Sequence, residues 1–150
     1  MDFTIDQLLA GYIQTGSLIR FEPGTVFGTI NPHIGVVINA NPRTQEVVVV
    51  VCATSQVQRV RDYASRLGFS PYTIAVLPKN THSHFSKDTA FNCNDTEVIT
   101  YDVLKSWHTA GLIEVVTNNS VLSEGILNDI RAGVMISDLV EDSTKEMLTE

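Results

Sequence analysis

The chain lacks the features that mark exported and membrane-spanning proteins. It has only two cysteines, Cys52 and Cys93, and no apolar run near the roughly 18 residues that a membrane span needs. Near its N-terminus it carries Asp2 and Asp6, where a signal peptide would have a basic cluster. These absences predict a cytoplasmic protein without a membrane partner, in which both cysteines are reduced core thiols.

Positive charge is also scarce. Ten lysines and arginines stand against 17 acidic residues, which gives a formal net charge of −7. Because nucleic-acid binding needs lysine and arginine to neutralise phosphates, this balance does not by itself indicate a nucleic-acid-binding protein. The charge is unevenly distributed, however. Residues 56–88 are locally basic, whereas residues 138–150 are acidic apart from Lys145.

Short segments rich in Val, Ile and Phe, separated by Pro, Gly and Asn, predict a mainly β protein. The β-branched run 47–51 favours a strand that is buried on both faces. A small meander protects its edges by closing, so the expected fold is a small SH3-like β-barrel with helices. The predicted strands are residues 17–21, 25–30, 35–39, 46–53, 73–77 and 112–116, with a hairpin of 89–93 and 97–100 turning at 94–95.

Helices are expected at both ends of the chain and between strands. Thr4 and Gln7 have the spacing of a capping box, which predicts an N-terminal helix ending near Gly16. Apolar spacing predicts further helices over residues 56–67 and 100–110 and a C-terminal helix that Ser123 begins. We expect one domain over residues 1–150, with the barrel core at about 17–136 and an acidic tail at 137–150.

Two places at predicted strand ends carry reactive side chains. His33 lies in a turn between two strands, where an imidazole can exchange protons near neutral pH, or is simply a polar turn residue. Thr54 and Ser55 follow the valine-rich strand. Their hydroxyls suit a phosphate oxygen, and one of them equally suits the cap of the next helix.

The third candidate cluster is a polar loop. His82 and His84 are two residues apart, with Lys87 close by, so in an extended segment both imidazoles would face one side. There they would act as an acid–base pair on a phosphodiester. A zinc site with Cys52 or Cys93 is the other alternative, although the chain has no paired-cysteine spacing. Solvated loop histidines are the simplest interpretation.

The order of these segments resembles the MazF/PemK/Kid family of toxin endoribonucleases, which share a small SH3-like barrel. The similarity covers roughly residues 23–136, with divergent loops between the matching parts. The segments that carry it are Pro23-Gly24-Thr25-Val26-Phe27, the apolar strand 33–39, the Cys52-Ala53-Thr54-Ser55 strand end, the 85–90 strand entry and the closing helix 121–136.

The resemblance implies RNA cleavage without metal or cofactor, by attack of the 2′-hydroxyl on the adjacent phosphate. Thr54 matches the family's strand-end threonine, and His33 falls where the family has an arginine. Histidine lacks the fixed charge and the bidentate fork of a guanidinium. We therefore expect His33 and Thr54 as catalytic residues. Ser55, His82, His84 and Lys87 are substrate-binding candidates on their chemistry alone.

Two functions from different classes follow. The first is a metal-independent endoribonuclease toxin that cuts single-stranded RNA, forms a homodimer and is held in check by an antitoxin protein, as the resemblance implies. The second is a non-catalytic barrel module that binds a protein partner, either an inactive toxin relative or a phage-encoded decoy. The acidic balance and the missing arginine favour the second function.

Overall fold

The computed structural model of the protein describes residues 5–7, 13–26, 31–116 and 121–149. These residues form a mixed α/β fold around a six-stranded antiparallel sheet with the strand order β4-β5-β3-β2-β1-β6. The strands are β1 (Leu18–Phe21), β2 (His33–Val37), β3 (Val47–Thr54), β4 (Ile74–Leu77), β5 (Thr89–Thr100) and β6 (Ile113–Val116).

The valine-rich segment is a strand buried on both faces, as its sequence predicts. Val48 to Val51 of β3 are all fully buried, because both faces of the sheet are covered. One face packs against the C-terminal helix through a cluster that includes Val36, Val51 and Phe91. The other face packs against the helix after β5 through Val50 and its neighbours. Because successive side chains on a strand point to opposite faces, the valines of β3 contribute alternately to the two cores.

The closed barrel predicted from the sequence is not confirmed. Within the described residues no strand pairing joins β4 to β6, so the sheet is open at both ends. Residues 27–30, the larger part of a predicted strand, lie outside the described residues. Thr25 and Val26, at the start of the same segment, are not in a strand.

The predicted hairpin at residues 94–95 is wrong. Residues 89–100 form one continuous strand with a large bulge, because Val51 pairs with Thr96 and Ala53 with Phe91. A two-residue step on β3 therefore spans five residues on β5. Asn94 lies in this bulge and is buried. Its side chain donates to Thr73 Oγ1 at 2.8 Å and its Oδ1 accepts from Ser137 Oγ at 2.7 Å, which holds the bulge inward.

The helices match the sequence pattern more closely than the strands do. They are α1 (Ile5–Gln7), α2 (Pro42–Gln45), α3 (Val57–Arg66), α4 (Tyr101–Thr109), α5 (Glu124–Ile136) and α6 (Asp142–Glu146). Thr100 caps α4 as predicted, by accepting from the Val103 N–H at 3.3 Å. Residues 8–12 of the predicted N-terminal helix lie outside the described part, and residues 13–16 at its predicted end are not helical. No helix in the described residues is long and apolar enough to cross a membrane.

The acidic tail is part of the packed core. Val140 and Leu148 are buried in the same cluster as α5, and the tail's polar face points outward. Gln45 Nε2 donates to the Met147 carbonyl at 3.0 Å, which ties α6 to the segment between β2 and β3. Cys52 and Cys93 are free thiols, as the sequence predicts.

Candidate functional site

A cleft opens where β3 ends and α3 is about to begin. Its volume is about 180 Å³. Strand ends form one side and the loop before β5 forms the other. The lining residues are Ile34, Ala53, Thr54, Ser55, His84, Phe85, Ser86, Lys87 and Thr89. The tertiary structure thus brings together four of the predicted site residues, namely Thr54, Ser55, His84 and Lys87.

The size of the cleft limits what it can hold. Pockets for drug-sized ligands usually measure about 300–1,000 Å³. The cleft therefore suits one small polar group, such as a phosphate, with the rest of a longer ligand lying on the open surface.

Thr54 has a hydroxyl that is only partly used. Its Oγ1 accepts from the Gln56 backbone N–H at 3.2 Å, and Gln56 is the N-cap residue of α3. No side chain caps the first turn of this helix. Thr54 is therefore not an ordinary helix cap, because it lies two residues before the N-cap and accepts from the N–H of the N-cap residue. The hydroxyl proton of Thr54 can still be donated to an oxygen in the cleft.

The opposite wall is held in place by one aromatic residue. Phe85 is buried and packs edge-on against Phe91, with ring centroids 6.2 Å apart. The His84 ring packs on Phe85 in the same T-shaped way at 5.1 Å. The backbone N–H of Phe85 donates to the His82 carbonyl at 3.1 Å, which closes the turn. Exposed His84 is therefore positioned by a buried neighbour.

The two loop histidines do not form an acid–base pair. The segment turns at this point, as the isolated bridge between His82 and Phe85 shows, so the extended geometry needed for a shared face is absent. His82 Nδ1 accepts from the His84 backbone N–H at 3.0 Å, which places the proton of the neutral ring on Nε2. His82 helps to shape the loop, and only His84 lines the cleft.

His33 stands beside the cleft but faces away from it. Ile34 pairs with Ala53 at the last register position of β2 and β3, so His33 and Thr54 end the two strands at the same edge. Ile34 lines the cleft, and successive side chains on a strand alternate. His33 Nδ1 accordingly lies 3.6 Å from Cys52 Sγ, which precedes the cleft residue Ala53. Thr54 is two residues after Cys52, so the same alternation directs its side chain to the His33 side, and Thr54 contacts the cleft at its edge.

Cys52 is a neutral thiol rather than a nucleophile. Burial and, as a smaller effect, the negative charge of Asp95 raise its pKa to about 12. Desolvation also raises the pKa of the Asp95 carboxyl above its ordinary value. The thiol donates to the Ala53 carbonyl at 3.6 Å, and its Sγ also lies next to the imidazole of His33, where the donor depends on the tautomer of the ring.

No family model and no curated protein sequence matches this chain. The resemblance to the MazF/PemK/Kid family therefore depends on the short motifs and their order. The zinc alternative lacks a ligand set, since no group of three His, Cys, Asp or Glu side chains in the described ranges could hold a metal ion. Cys93 is buried in the core that packs against α5.

Sequence reasoning missed the residues that build the walls. Ile34, Ala53 and Phe85 line the cleft without any chemically reactive group, and Ser86 adds one more exposed hydroxyl. Phe85 could have been found, because it is the one large apolar residue in the polar run from 78 to 88. Ile34 gave no such signal, since its position depends on the pairing of β2 with β3.

Proposed function

We propose that the protein is a metal-independent endoribonuclease toxin that cuts single-stranded RNA at the cleft. The observation that supports this proposal is that Thr54, Ser55, His84 and Lys87, which carry hydroxyl, imidazole and ammonium groups, line one cleft of phosphate size. Lys87 is exposed and makes no ion pair with the described residues. Its charge is therefore available to a phosphate oxygen.

The chemistry needs a proton carrier and a charge stabiliser. The 2′-oxygen attacks the adjacent phosphorus, the bond from phosphorus to the 5′-oxygen breaks, and a 2′,3′-cyclic phosphate forms. His84 takes the proton of the 2′-hydroxyl, and water in the open cleft protonates the leaving 5′-oxygen. Lys87 and the Thr54 hydroxyl stabilise the charge that builds on the phosphate oxygens, while Ser55 helps to bind them.

This assignment moves proton transfer from His33 to His84. His33 contacts Cys52 on the other face of the sheet, whereas His84 lines the cleft itself. His33 then has an indirect function, supporting the end of β2 beside Thr54.

The fold component of the proposal is a curved SH3-like barrel. Its support is the bulged β5, which pairs with both β3 and β4 and bends the sheet. The proposal also includes a cytoplasmic homodimer that an antitoxin protein neutralises.

The test is incubation of the purified protein with single-stranded RNA in the presence of a chelator, followed by gel analysis. We expect fragments ending in a 2′,3′-cyclic phosphate, and no cleavage where the attacking ribose is replaced by deoxyribose. The His84→Gln variant should lose about 10²–10⁴-fold in rate, because it removes the acid–base group. The Lys87→Gln variant should lose about 10²–10³-fold, as for the loss of one charge-stabilising donor.

Matched controls lie outside the cleft. His108→Gln removes an imidazole from α4, and Lys79→Gln removes a lysine from the same loop as Lys87. Both controls should cleave at the wild-type rate. Absence of cleavage by the wild type, or equal cleavage by the His84→Gln and His108→Gln variants, would refute the proposal.

A second candidate function has its own support. Exposed apolar side chains occupy the C-terminal end of α5 and the turn packed against that helix. Tyr72 is 79% exposed, Ile136 50% and Leu139 59%. Apolar surface of this kind is typical of a protein–protein contact. A module that binds only a protein would capture a stoichiometric partner and would show no affinity for RNA at low salt.

A further inference from the structure

The exposed side of α3 carries a stripe of two arginines and one tyrosine. Arg59, Tyr63 and Arg66 are spaced at i, i+4 and i+7, so they lie on one side of the helix. All three are exposed, and Tyr63 is 49% exposed despite its large ring. Ala64 faces the sheet instead. The stripe is therefore a surface feature and does not contribute to the core.

The stripe is positively charged in an otherwise acidic chain. Three arginines and one acid, Asp62, give α3 a formal charge of +2, against −7 for the whole chain. Asp62 Oδ1 accepts from Gln58 Nε2 at 2.8 Å, and Arg59 Nη1 donates to Gln56 Oε1 at 3.1 Å, so both side chains bond to neutral groups. Neither Arg59 nor Arg66 makes an ion pair with any residue that the structure describes. Their charges are available to a ligand.

The stripe continues from the cleft. Helix α3 begins at Val57, two residues after Ser55 of the cleft wall. A shallow depression of about 680 Å³ lies along the helix next to Tyr63 and is lined by Arg59, Arg66, Gln58, Asp62 and Ser65. This depression is larger than the cleft, so it has room for the parts of a chain that the cleft cannot hold.

We infer that a single RNA strand extends from the cleft along α3, with Arg59 and Arg66 on its phosphates and Tyr63 stacked on a base. This inference rests on the proposed function and adds the path of the substrate. Alternating cationic and aromatic groups are typical of surfaces that bind single strands without reading sequence. The substrate is then a single strand that extends beyond the scissile phosphate.

The length of α3 sets the length of that extension. Ten residues at 1.5 Å per residue give a helix of about 15 Å. At about 3.4 Å per nucleotide in a stacked strand, this corresponds to about four nucleotides. Oligonucleotides that extend by fewer nucleotides should bind more weakly, and further extension should add little.

The test measures binding without cleavage. A fluorescently labelled 2′-O-methyl oligonucleotide of about 12 nucleotides, within the usual range of single-strand site sizes, is titrated with protein at several salt concentrations. The Arg59→Gln/Arg66→Gln variant should lower the slope of log K against log salt by about 1.4, because each lost phosphate contact contributes about 0.7. The Tyr63→Ala variant should bind about 5- to 140-fold more weakly, and Tyr63→Phe should bind like wild type.

The control variant removes two positive charges at positions outside the stripe. Arg43→Gln/Lys105→Gln changes exposed cations on α2 and α4 and should leave the salt slope unchanged. No binding by the wild type at low salt, or equal slopes for the stripe and control variants, overturns the inference. Equal competition by a peptide of the acidic segment 138–149 also overturns it, and assigns the stripe to an acidic protein segment.

The outcomes separate this inference from the proposed function. If the wild type cleaves RNA and the stripe variants bind and cleave as it does, the path along α3 is wrong and the nuclease assignment stands. If the wild type binds through the stripe but never cleaves, the nuclease assignment is wrong and the binding path stands.

Discussion

Gly133 is the position in α5 where one added methyl group should cost the most. A Cβ atom built there would lie 2.7 Å from Cys93 Sγ and 2.8 Å from the Tyr72 carbonyl oxygen. Both distances are shorter than real contacts of a Cβ atom. Because the second neighbour is backbone, no change of rotamer can relieve the overlap. Gly133→Ala should therefore push α5 away from β5 and from the turn at Tyr72.

Two effects of opposite sign determine the expected change in the free energy of unfolding. Replacing glycine by alanine inside a helix favours folding by about 1 kcal/mol. Overpacking a well-filled core usually costs about 1–3 kcal/mol. The backbone clash at Tyr72 places Gly133→Ala at the upper end of that range. We expect a net loss of about 2 kcal/mol in the free energy of unfolding, or about 4–8 °C in Tm for a chain of this length.

The same helix provides the control. A Cβ atom at Gly125 would meet nothing within 4 Å, so Gly125→Ala has the gain in helix propensity without the overlap. Its Tm should rise by up to about 4 °C, in line with a gain of up to 1 kcal/mol. Thermal unfolding followed by circular dichroism measures both variants. A Gly133→Ala variant as stable as Gly125→Ala would refute the packing argument.

A double-mutant cycle identifies the contact that causes the loss of stability in Gly133→Ala. Cys93→Ala removes the sulfur that lies 2.7 Å from the added methyl group, although the 2.8 Å contact with the Tyr72 oxygen persists. The double variant should therefore be more stable than the sum of the two single changes by about 0.5–3 kcal/mol. Strict additivity would mean that Cys93 and Gly133 are not in contact.

Two further predictions concern the bulge of β5 and its buried thiol. Asn94→Ala should lower the free energy of unfolding by about 2–4 kcal/mol in urea, because it leaves Thr73 and Ser137 without their buried partner; a change under about 0.5 kcal/mol would contradict this. Burial raises the pKa of Cys93 to about 12, whereas the thiol in the unfolded chain has a pKa near 9. The contribution of the neutral thiol to the free energy of unfolding is therefore complete below pH 9 and is lost as pH rises toward 12. At pH 10 the loss should be about 1–2 kcal/mol relative to pH 8, measured by urea unfolding, and a Cys93→Ala variant should lack this part of the pH dependence.

Local patterns in the sequence were sufficient for most of the helices and several strands. The period of apolar residues located α3 and α4 within one residue, and the glycines after them, Gly68 and Gly111, both have positive φ angles that end a helix. The all-β-branched run predicted a strand buried on both faces, and β3 is such a strand. These features depend on short-range sterics and burial, so neighbouring residues determine them.

The bulge in β5 illustrates what neighbouring residues do not determine. Asn94 and Asp95 have the composition of a turn, and the sequence predicted a hairpin there. In the structure Asn94 is instead held by Thr73 and Ser137, which are 21 and 43 residues away along the chain. Hydrogen bonds to distant partners outweighed the local turn preference, and no local pattern could have predicted them.

The sequence by itself supplied the reactive groups of the candidate site, and the tertiary structure decided which of them meet. Thr54, Ser55, His84 and Lys87 were candidates because hydroxyl, imidazole and ammonium groups suit a phosphate, and they line one cleft. His33 was an equally good candidate by chemistry, yet strand alternation turns it toward Cys52. Side-chain type is a local property, whereas the direction of a side chain and its neighbours depend on strand pairing between distant segments.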